Sequence, residues 1–372
     1  MKVPFFDLKL QYQSIHKEVE GVLKDIFEEQ GFILGPRVKE FEKKMASYLG
    51  VRNAVGVASG TDSLYLSLMA LGVQPGDEVI TTPFTFFATA GVISRLGATP
   101  VFVDIDPNTF LMNPSQVEEV MTPNAKAVIP VHLFGLMVDL KPLKVLSEEE
   151  ELFIIEDVAQ ATGARDGSEM AGTVGTFGCF SFFPSKNLGG AGDGGLITTQ
   201  SDSYGDLIRR LRVHGSAEGY FHTEVGINSR LDVLQAAILE IKLKFLEQWN
   251  KQRRENAERY AEMFQSAGLG EKISIPQVRE GCTHVFNQYV IKTDQRDKLK
   301  TFLNDKEIGT AVYYPLPLHL QPCFKNLGYK EGDFPVSENA ARTVLALPIF
   351  PELEVEQQAF IVETISEFFK KS

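Results

Sequence analysis

The stretch CFSFFPSKNLGGAGDGGLITT, residues 179–199, decides how this chain is read. An apolar run containing Phe180, Phe182 and Phe183 ends at a lysine, Lys186, and a glycine-rich turn then leads into a second apolar run, LITT. A lysine in a loop is ordinarily a solvated charge. Here the preceding aromatics place Lys186 at the edge of buried structure, where partial desolvation lowers an amine's pKa and makes it a usable nucleophile. The turn also contains GAGDGG, residues 190–195, which formally satisfies G-x-G-x-x-G. That motif binds a dinucleotide only where it follows a strand and opens a helix. These glycines run into a strand pattern instead, and no GxxxxGK[ST] occurs elsewhere, so both nucleotide-loop readings are rejected. An NAD-dependent oxidoreductase stays as the formal enzyme rival.

Working outward, residues from about 53 to 200 alternate helical segments with short Val-, Ile- and Phe-rich runs. EVITTPF, PVFVDID, AKAVIPVHLF, LFIIED, CFSFF and GGLITT read as strands buried on both faces. This is the pattern of a mostly parallel sheet in an α/β domain covered by helices. TDSLYLSLMALG is expected to be a helix opening at Thr61–Asp62 and stopping near Gly72. A long helical pattern starts near Ser229 and runs past Arg259. Beyond it the texture changes to HVFNQYVIKT, RDKLKTFLNDKEIG, the proline-rich YYPLPLHLQP and a final helix, the pattern of a smaller α+β domain. The expected division is 1–248 for a large domain with an N-terminal arm and 249–372 for the small one, with the boundary near Trp249.

Three further segments carry candidate chemistry. In LFIIEDVAQATGA, residues 152–164, Asp157 and Gln160 lie just past a buried strand, where ligands of parallel sheets gather. A carboxylate there can hold a protonated heterocyclic nitrogen, although a helix N-cap at Asp157 is the plainer alternative. In VASGTDSLYLSL, residues 57–68, a strand-to-helix turn at Ser59–Ser63 offers free N–H groups suited to a phosphate monoester, or simple capping by Thr61 or Asp62. Asp62 would repel a phosphate, so its side chain is expected to turn away. In TTPFTFFATA, residues 81–90, Phe86 is the chosen aromatic to stack on a planar ring, Phe84 and Phe87 being the other candidates.

The bulk properties exclude more than they assign. The chain has 372 residues, 44% hydrophobic and 23% charged, an ordinary globular composition with room for a large and a small domain. With 49 acids against 37 bases, its net charge of −12 argues against a nucleic-acid or anionic-membrane surface. The N-terminus shows no secretory pattern, no apolar run reaches a membrane span, and Cys179, Cys282 and Cys323 are widely spaced. A cytoplasmic setting with reduced thiols is expected. The six histidines form no ligand spacing, so no metal site is expected.

Taken in order, these segments resemble the sugar-nucleotide aminotransferases, a branch of the fold-type-I pyridoxal-phosphate enzymes within the aspartate aminotransferase superfamily. The likeness runs from FFDLKLQY and FILGPRVKEFE through ASGTDSL, IEDVAQATGA and FSFFPSKNLGGAGDGG to GINSRLDVLQAAIL, YYPLPLHLQP and LALPIFPEL. It implies a seven-stranded-type mixed sheet and pyridoxal 5'-phosphate, cycling through the pyridoxamine form. Lys186 matches the Schiff-base lysine, Asp157 the acid on the pyridinium nitrogen, and Gln160 a side chain near the ring hydroxyl. Ser181 and the backbone of Gly60 and Thr61 match phosphate contacts, and Phe86 the stacking aromatic. Asn228 matches a residue that reaches the phosphate in a neighbouring subunit, implying a homodimer with shared active sites.

The implied reaction moves an amino group from glutamate to a nucleotide-linked keto-hexose in amino-sugar and polysaccharide or lipopolysaccharide biosynthesis. Relatives that dehydrate sugars carry histidine where this chain has Lys186. FPSKNLGGAGDGG looks more like members acting at C3 of dTDP- or UDP-3-keto sugars than like the HPxKxITTGEGG of C4 enzymes. C4 transfer, or a non-catalytic cofactor-binding regulator, are the alternatives. Relatives acting on 3-keto sugars often read HYP where this chain has Tyr313-Tyr314-Pro315. A phenol cannot supply a cation at neutral pH, which favours a neutral or 6-deoxy hexose over a uronate. Arg230, Tyr313, Tyr314 and His319 are the substrate-side candidates, Arg230 and His319 fitting a structural role equally.

Overall fold

The computed structural model describes residues 1–371. Seven strands form one sheet: β1 Asn53–Val57, β2 Glu78–Thr81, β3 Thr99–Phe102, β4 Ala125–Val128, β5 Phe153–Asp157, β6 Phe177–Ser181 and β7 Gly195–Thr199. Their spatial order is β1-β7-β6-β5-β4-β2-β3. Only β7 runs against its neighbours; it pairs antiparallel with both β1 and β6, while the other pairs are parallel. Strands β1, β6 and β7 are buried along their whole length, as expected of a sheet covered on both faces. NAVGV, which forms β1, is the strand that sequence reading did not name. It is one of the sheet's two edge strands, and its small residues give little apolar signal.

The helices are α1 Lys9–Glu29, α2 Pro36–Leu49, α3 Gly60–Ala70, α4 Ala88–Arg95, α5 Lys141–Glu149 and α6 Asp202–Leu211, followed by α7 Val233–Leu243 and α8 Leu246–Ser266. Helices α9 Arg296–Asp305, α10 Pro335–Thr343 and α11 Val355–Lys371 follow, a four-residue helical turn at Val117–Val120 being left unnumbered, with β8 Tyr289–Lys292 paired to β9 Val344–Leu347. The long pattern expected from Ser229 is two helices, broken at Lys244–Phe245, where the chain turns. Trp249 lies inside α8. One core, with Tyr260, Phe264, Tyr289, Leu299, Leu347 and Ile365, belongs to the C-terminal part and takes in Val3 from the other end of the chain. Val285, Val290 and Ala346 instead join the core around β5 and β6. The C-terminal part is thus knitted to the sheet through apolar contact as well as through loops.

The carboxyl ends of β1, β5 and β6 lie on one edge of the sheet, beside the N-terminal end of β7. The register puts Val57 and Ser181 opposite Gly195. Segments far apart in sequence, 58–60, 157–160 and 181–190, therefore emerge side by side.

Candidate active site

Helix α3 opens at Gly60, not at Thr61–Asp62. Ser59 is its N-cap, with extended backbone and its Oγ accepting from the Asp62 N–H at 3.1 Å. Leu64, Leu66 and Leu68 bury against the sheet and fix the axis, so the helix start faces the end of β6. The approach is close: a Cβ on Gly60 would lie 2.6 Å from Ser181 Cβ, and one on Gly195 would lie 2.3 Å from the Ser59 carbonyl oxygen. Only glycine permits that contact. The result is an anion cradle in which a helix N-terminus and the Ser181 hydroxyl converge.

Asp157 ends β5 and is buried; no helix starts there, so it is not an N-cap. Its Oδ1 accepts from the Ala159 N–H at 3.1 Å and its Oδ2 from Thr89 Oγ1 at 2.9 Å. Thr89 in turn meets Thr85 Oγ1 at 3.1 Å. Burial raises the Asp157 pKa above the ordinary carboxylate value, opposed by these two hydrogen bonds and by Lys186 and His132. Sequence reading did not name Thr89, which lies one helix away and approaches Asp157 only in the folded sheet.

Lys186 follows β6 by five residues. Desolvation pushes its pKa down to about 8, partly offset by attraction to Asp157. Among the described residues its Nζ has no hydrogen bond or ion pair, so the amine is presented rather than consumed. Gln160 is held in place: its Oε1 accepts from the Phe134 N–H at 2.7 Å and its Nε2 donates to the Tyr314 hydroxyl at 3.0 Å. Tyr314 packs edge-on against Phe84 and tilted against Phe86, with centroids 6.1 and 6.4 Å apart. Phe84 is fully buried, whereas Phe86 is 58% exposed and Phe87 stacks on Phe324. Of the three, Phe86 keeps the freest ring face.

The other candidates divide. Tyr313 is half-buried with its ring against Phe5 and Tyr314, and burial raises its pKa, so the phenol stays neutral. Arg230 is half-buried with no carboxylate partner among the described residues. Asn228 is exposed and follows a hairpin, Ser216–Glu218 and Phe221–His222, whose Tyr220 and Phe221 are exposed, as is Val225 beyond it. For His319 the packing favours the structural of its two expected roles. Its side chain has no exposure, its Nε2 lies 3.2 Å from Glu338 Oε1, and its ring packs on Phe334 within a cluster of Phe102, Leu318 and Phe324. The aromatic cluster beneath the proline-rich loop holds it.

These residues fit pyridoxal phosphate. The cradle at Gly60 and Ser181 suits the phosphate, Asp157 can face a ring nitrogen, Phe86 a ring face, and the desolvated Lys186 an aldehyde carbon. The fold and these groups define a fold-type-I aminotransferase. The chain belongs to the DegT/DnrJ/EryC1/StrS aminotransferase family, whose signature matches residues 13–366. It is 43% identical to the UDP-N-acetyl-3-dehydro-alpha-D-glucosamine 3-aminotransferase of Acidithiobacillus ferrooxidans, over 98% of this chain and 97% of that one. It is 48% identical to a "pleiotropic regulatory protein" of Geobacillus stearothermophilus, over 100% and 99%. Among solved structures, DesV of S. venezuelae superposes with a TM-score of 0.95 at 38% identity, covering 99% of this chain and 98% of that one. Structures of this fold include pyridoxal- and pyridoxamine-phosphate forms. The protein is a pyridoxal-phosphate-dependent sugar-nucleotide aminotransferase. Among the described residues, no helix is long and apolar enough to cross a membrane.

Proposed function

We propose that the protein transfers an amino group from glutamate to C3 of a dTDP- or UDP-linked 3-keto-hexose. The observation that carries the reading is the partner-free Lys186 amine, depressed to about 8, beside the buried Asp157. Attack at C3 is supported by relatives named for it: the UDP-sugar 3-aminotransferase above, and dTDP-3-amino-sugar transaminases at 38% and 37% identity.

When bound, the cofactor supplies an electron sink for the carbanion formed as the α-proton leaves the amino donor. Asp157 keeps a proton at the ring nitrogen, its own charge upheld by Thr89 and the Ala159 N–H. Lys186 Nζ takes the α-proton and returns it, which an amine with a pKa near working pH does efficiently. Gln160, fixed between Phe134 and Tyr314, orients the ring hydroxyl edge. Gly60, Thr61 and Ser181 bind phosphate. Arg230, Tyr313 and Tyr314 face the nucleotide sugar, and the neutral Tyr313 favours a neutral or 6-deoxy hexose over a uronate. Asn228 completes the phosphate site of a second copy, so the working unit is a homodimer. A cytoplasmic location accords with three free cysteines.

The test is to load the pyridoxamine form, offer nucleotide keto-sugars, and locate the new amine by NMR. Amination at C3 is expected; amination at C4 would overturn the regiochemistry. Lys186→Ala should lose the borohydride-sensitive visible absorbance, and an unchanged spectrum would remove Lys186 from its role. One observation favours a second reading, a regulator: the 48%-identical relative is named as one. That reading predicts cofactor binding with no colour change on adding glutamate.

A further inference from the structure

Lys186 is not the only lysine that this fold strips of water. Lys242 lies in the last turn of α7, among the buried Ala236, Ala237, Ile238, Leu239 and Ile241, and is itself 8% exposed. A cation at a helix C-terminus is commonly explained by the helix dipole. Lys242 does something else with its charge. Its Nζ donates at 2.7 Å to the carbonyl of Gly189, three residues after Lys186. A charge-assisted bond of this kind is among the stronger ones available to a backbone carbonyl. The acid whose charge acts on it is Glu352, not in direct ion-pair contact, whose Oε2 is buried without a hydrogen bond and which also feels Arg253 and Asp7. Arg253 is occupied, donating to the carbonyls of Phe286 and Ile349. An ammonium buried without a full ion pair is costly, and packing alone gives no reason to keep it.

The turn that Lys242 grips is tight. A Cβ on Gly189 would lie 2.3 Å from the Pro184 carbonyl oxygen, and the Gly190 N–H closes back onto Phe182 O at 2.8 Å. Other anchors around Lys186 are neutral amides. Asn187 Nδ2 donates to Asn250 Oδ1 at 2.7 Å and to Val285 O at 2.9 Å. Asn287 Nδ2 reaches Ser185 O at 3.3 Å, and Gln235 Oε1 accepts from the Ala191 N–H at 2.8 Å. Lys242 brings the one charged side chain into this set.

We propose that Lys242, with Glu352 as its countercharge, is a positioning residue for the reaction: by holding the Gly189 carbonyl it fixes the Lys186 backbone relative to Asp157. The inference rests on the reading of Lys186 as the cofactor-binding lysine. That side chain must be released and recaptured in each cycle, and a misplacement of about 1 Å can cost about 100-fold.

The test compares Lys242→Met, Lys242→Gln and Glu352→Gln with the parent, as full-length proteins reconstituted with pyridoxal phosphate. The readouts are the pH midpoint of the visible absorbance, the first-order rate at which colour forms on the apoprotein, and the thermal midpoint. Lys242→Met should form colour about 10-fold more slowly and shift the pH midpoint by about half a unit. Lys242→Gln keeps an N–H donor and should fall between it and the parent. Glu352→Gln should slow colour formation about 3-fold. A folded Lys242→Met protein with the parent's midpoint and rate overturns the proposal, even if its thermal midpoint drops. If Lys242→Met does not fold, parental behaviour in Glu352→Gln overturns it. A parent that forms no colour would instead sink the reading of Lys186.

Discussion

Glu156 and Asp157 are neighbours on one strand, and their side chains point to opposite faces of the sheet. Both are buried carboxylates, yet they are treated differently. Glu156 accepts four hydrogen bonds, from the N–H groups of Gly172, Val174 and Gly175 and from His132 Nε2. The His132 proton is assigned to Nε2 because Nδ1 accepts from the Val138 N–H. Asp157 accepts only two, from Thr89 and Ala159, and faces an unpaired lysine. A carboxylate whose lone pairs are all answered holds loops together. One that is left short, in a desolvated pocket, has capacity for a ligand's proton.

That comparison can be broken by exchanging what each acid is given. Asp157→Asn should leave the fold intact and lower kcat by about 1,000-fold, an electrostatic loss of the kind seen when a charge-stabilising group is removed; single-turnover kinetics with glutamate measure it. A loss below tenfold would place Asp157 with Glu156 as structural. Glu156→Gln should do the reverse. It turns an amide toward donors and should cost about 3 kcal/mol of stability by denaturant titration, with kcat per folded molecule little changed.

Lys186→Met should stabilise the apoprotein by about 3 kcal/mol at pH 7. The native lysine has a pKa of about 8 against 10.5 for its ordinary value, so the unfolded chain binds the extra proton. Its penalty is full below pH 8 and fades as pH rises toward 10.5, so the gain from methionine should shrink over that window. A constant gain across it would mean that the lysine is not desolvated. The smallest effect is expected from Thr89→Val, which removes one of the two donors to Asp157. About a tenfold fall in kcat and a shift in the pH profile are expected, and a kcat within twofold of the parent would show that Ala159 alone suffices.

Much of this arrangement was legible in sequence because the chemistry sits next to strong local signals. Asp157 directly ends an apolar strand, Lys186 follows another by five residues, and Ser59–Asp62 announces a helix start, although the cap proved to be Ser59 and the helix one residue longer. His319 carried two readings, contact or structural, because nothing local reveals that Phe334 and Phe324 lie beneath its proline-rich loop. The split between α7 and α8 was hidden because Lys244 and Phe245 are both compatible with a continuous helix.

The sequence by itself determined the alternation of strands and helices, and through it the sheet edge where Asp157, Ser181 and the α3 N-terminus must gather. Periodicity and strand ends are local properties, and one chain suffices to read them. Only the tertiary structure decided how those groups are finished. Thr89 reaches Asp157 across 68 residues, Lys242 reaches Gly189 across 53, and Asn187 reaches Asn250 across 63. Such contacts depend on distances set by packing between separate elements, which no local pattern encodes. Together with the four donors to Glu156, the Thr89 contact separates the acid that is fully hydrogen-bonded from the one left short.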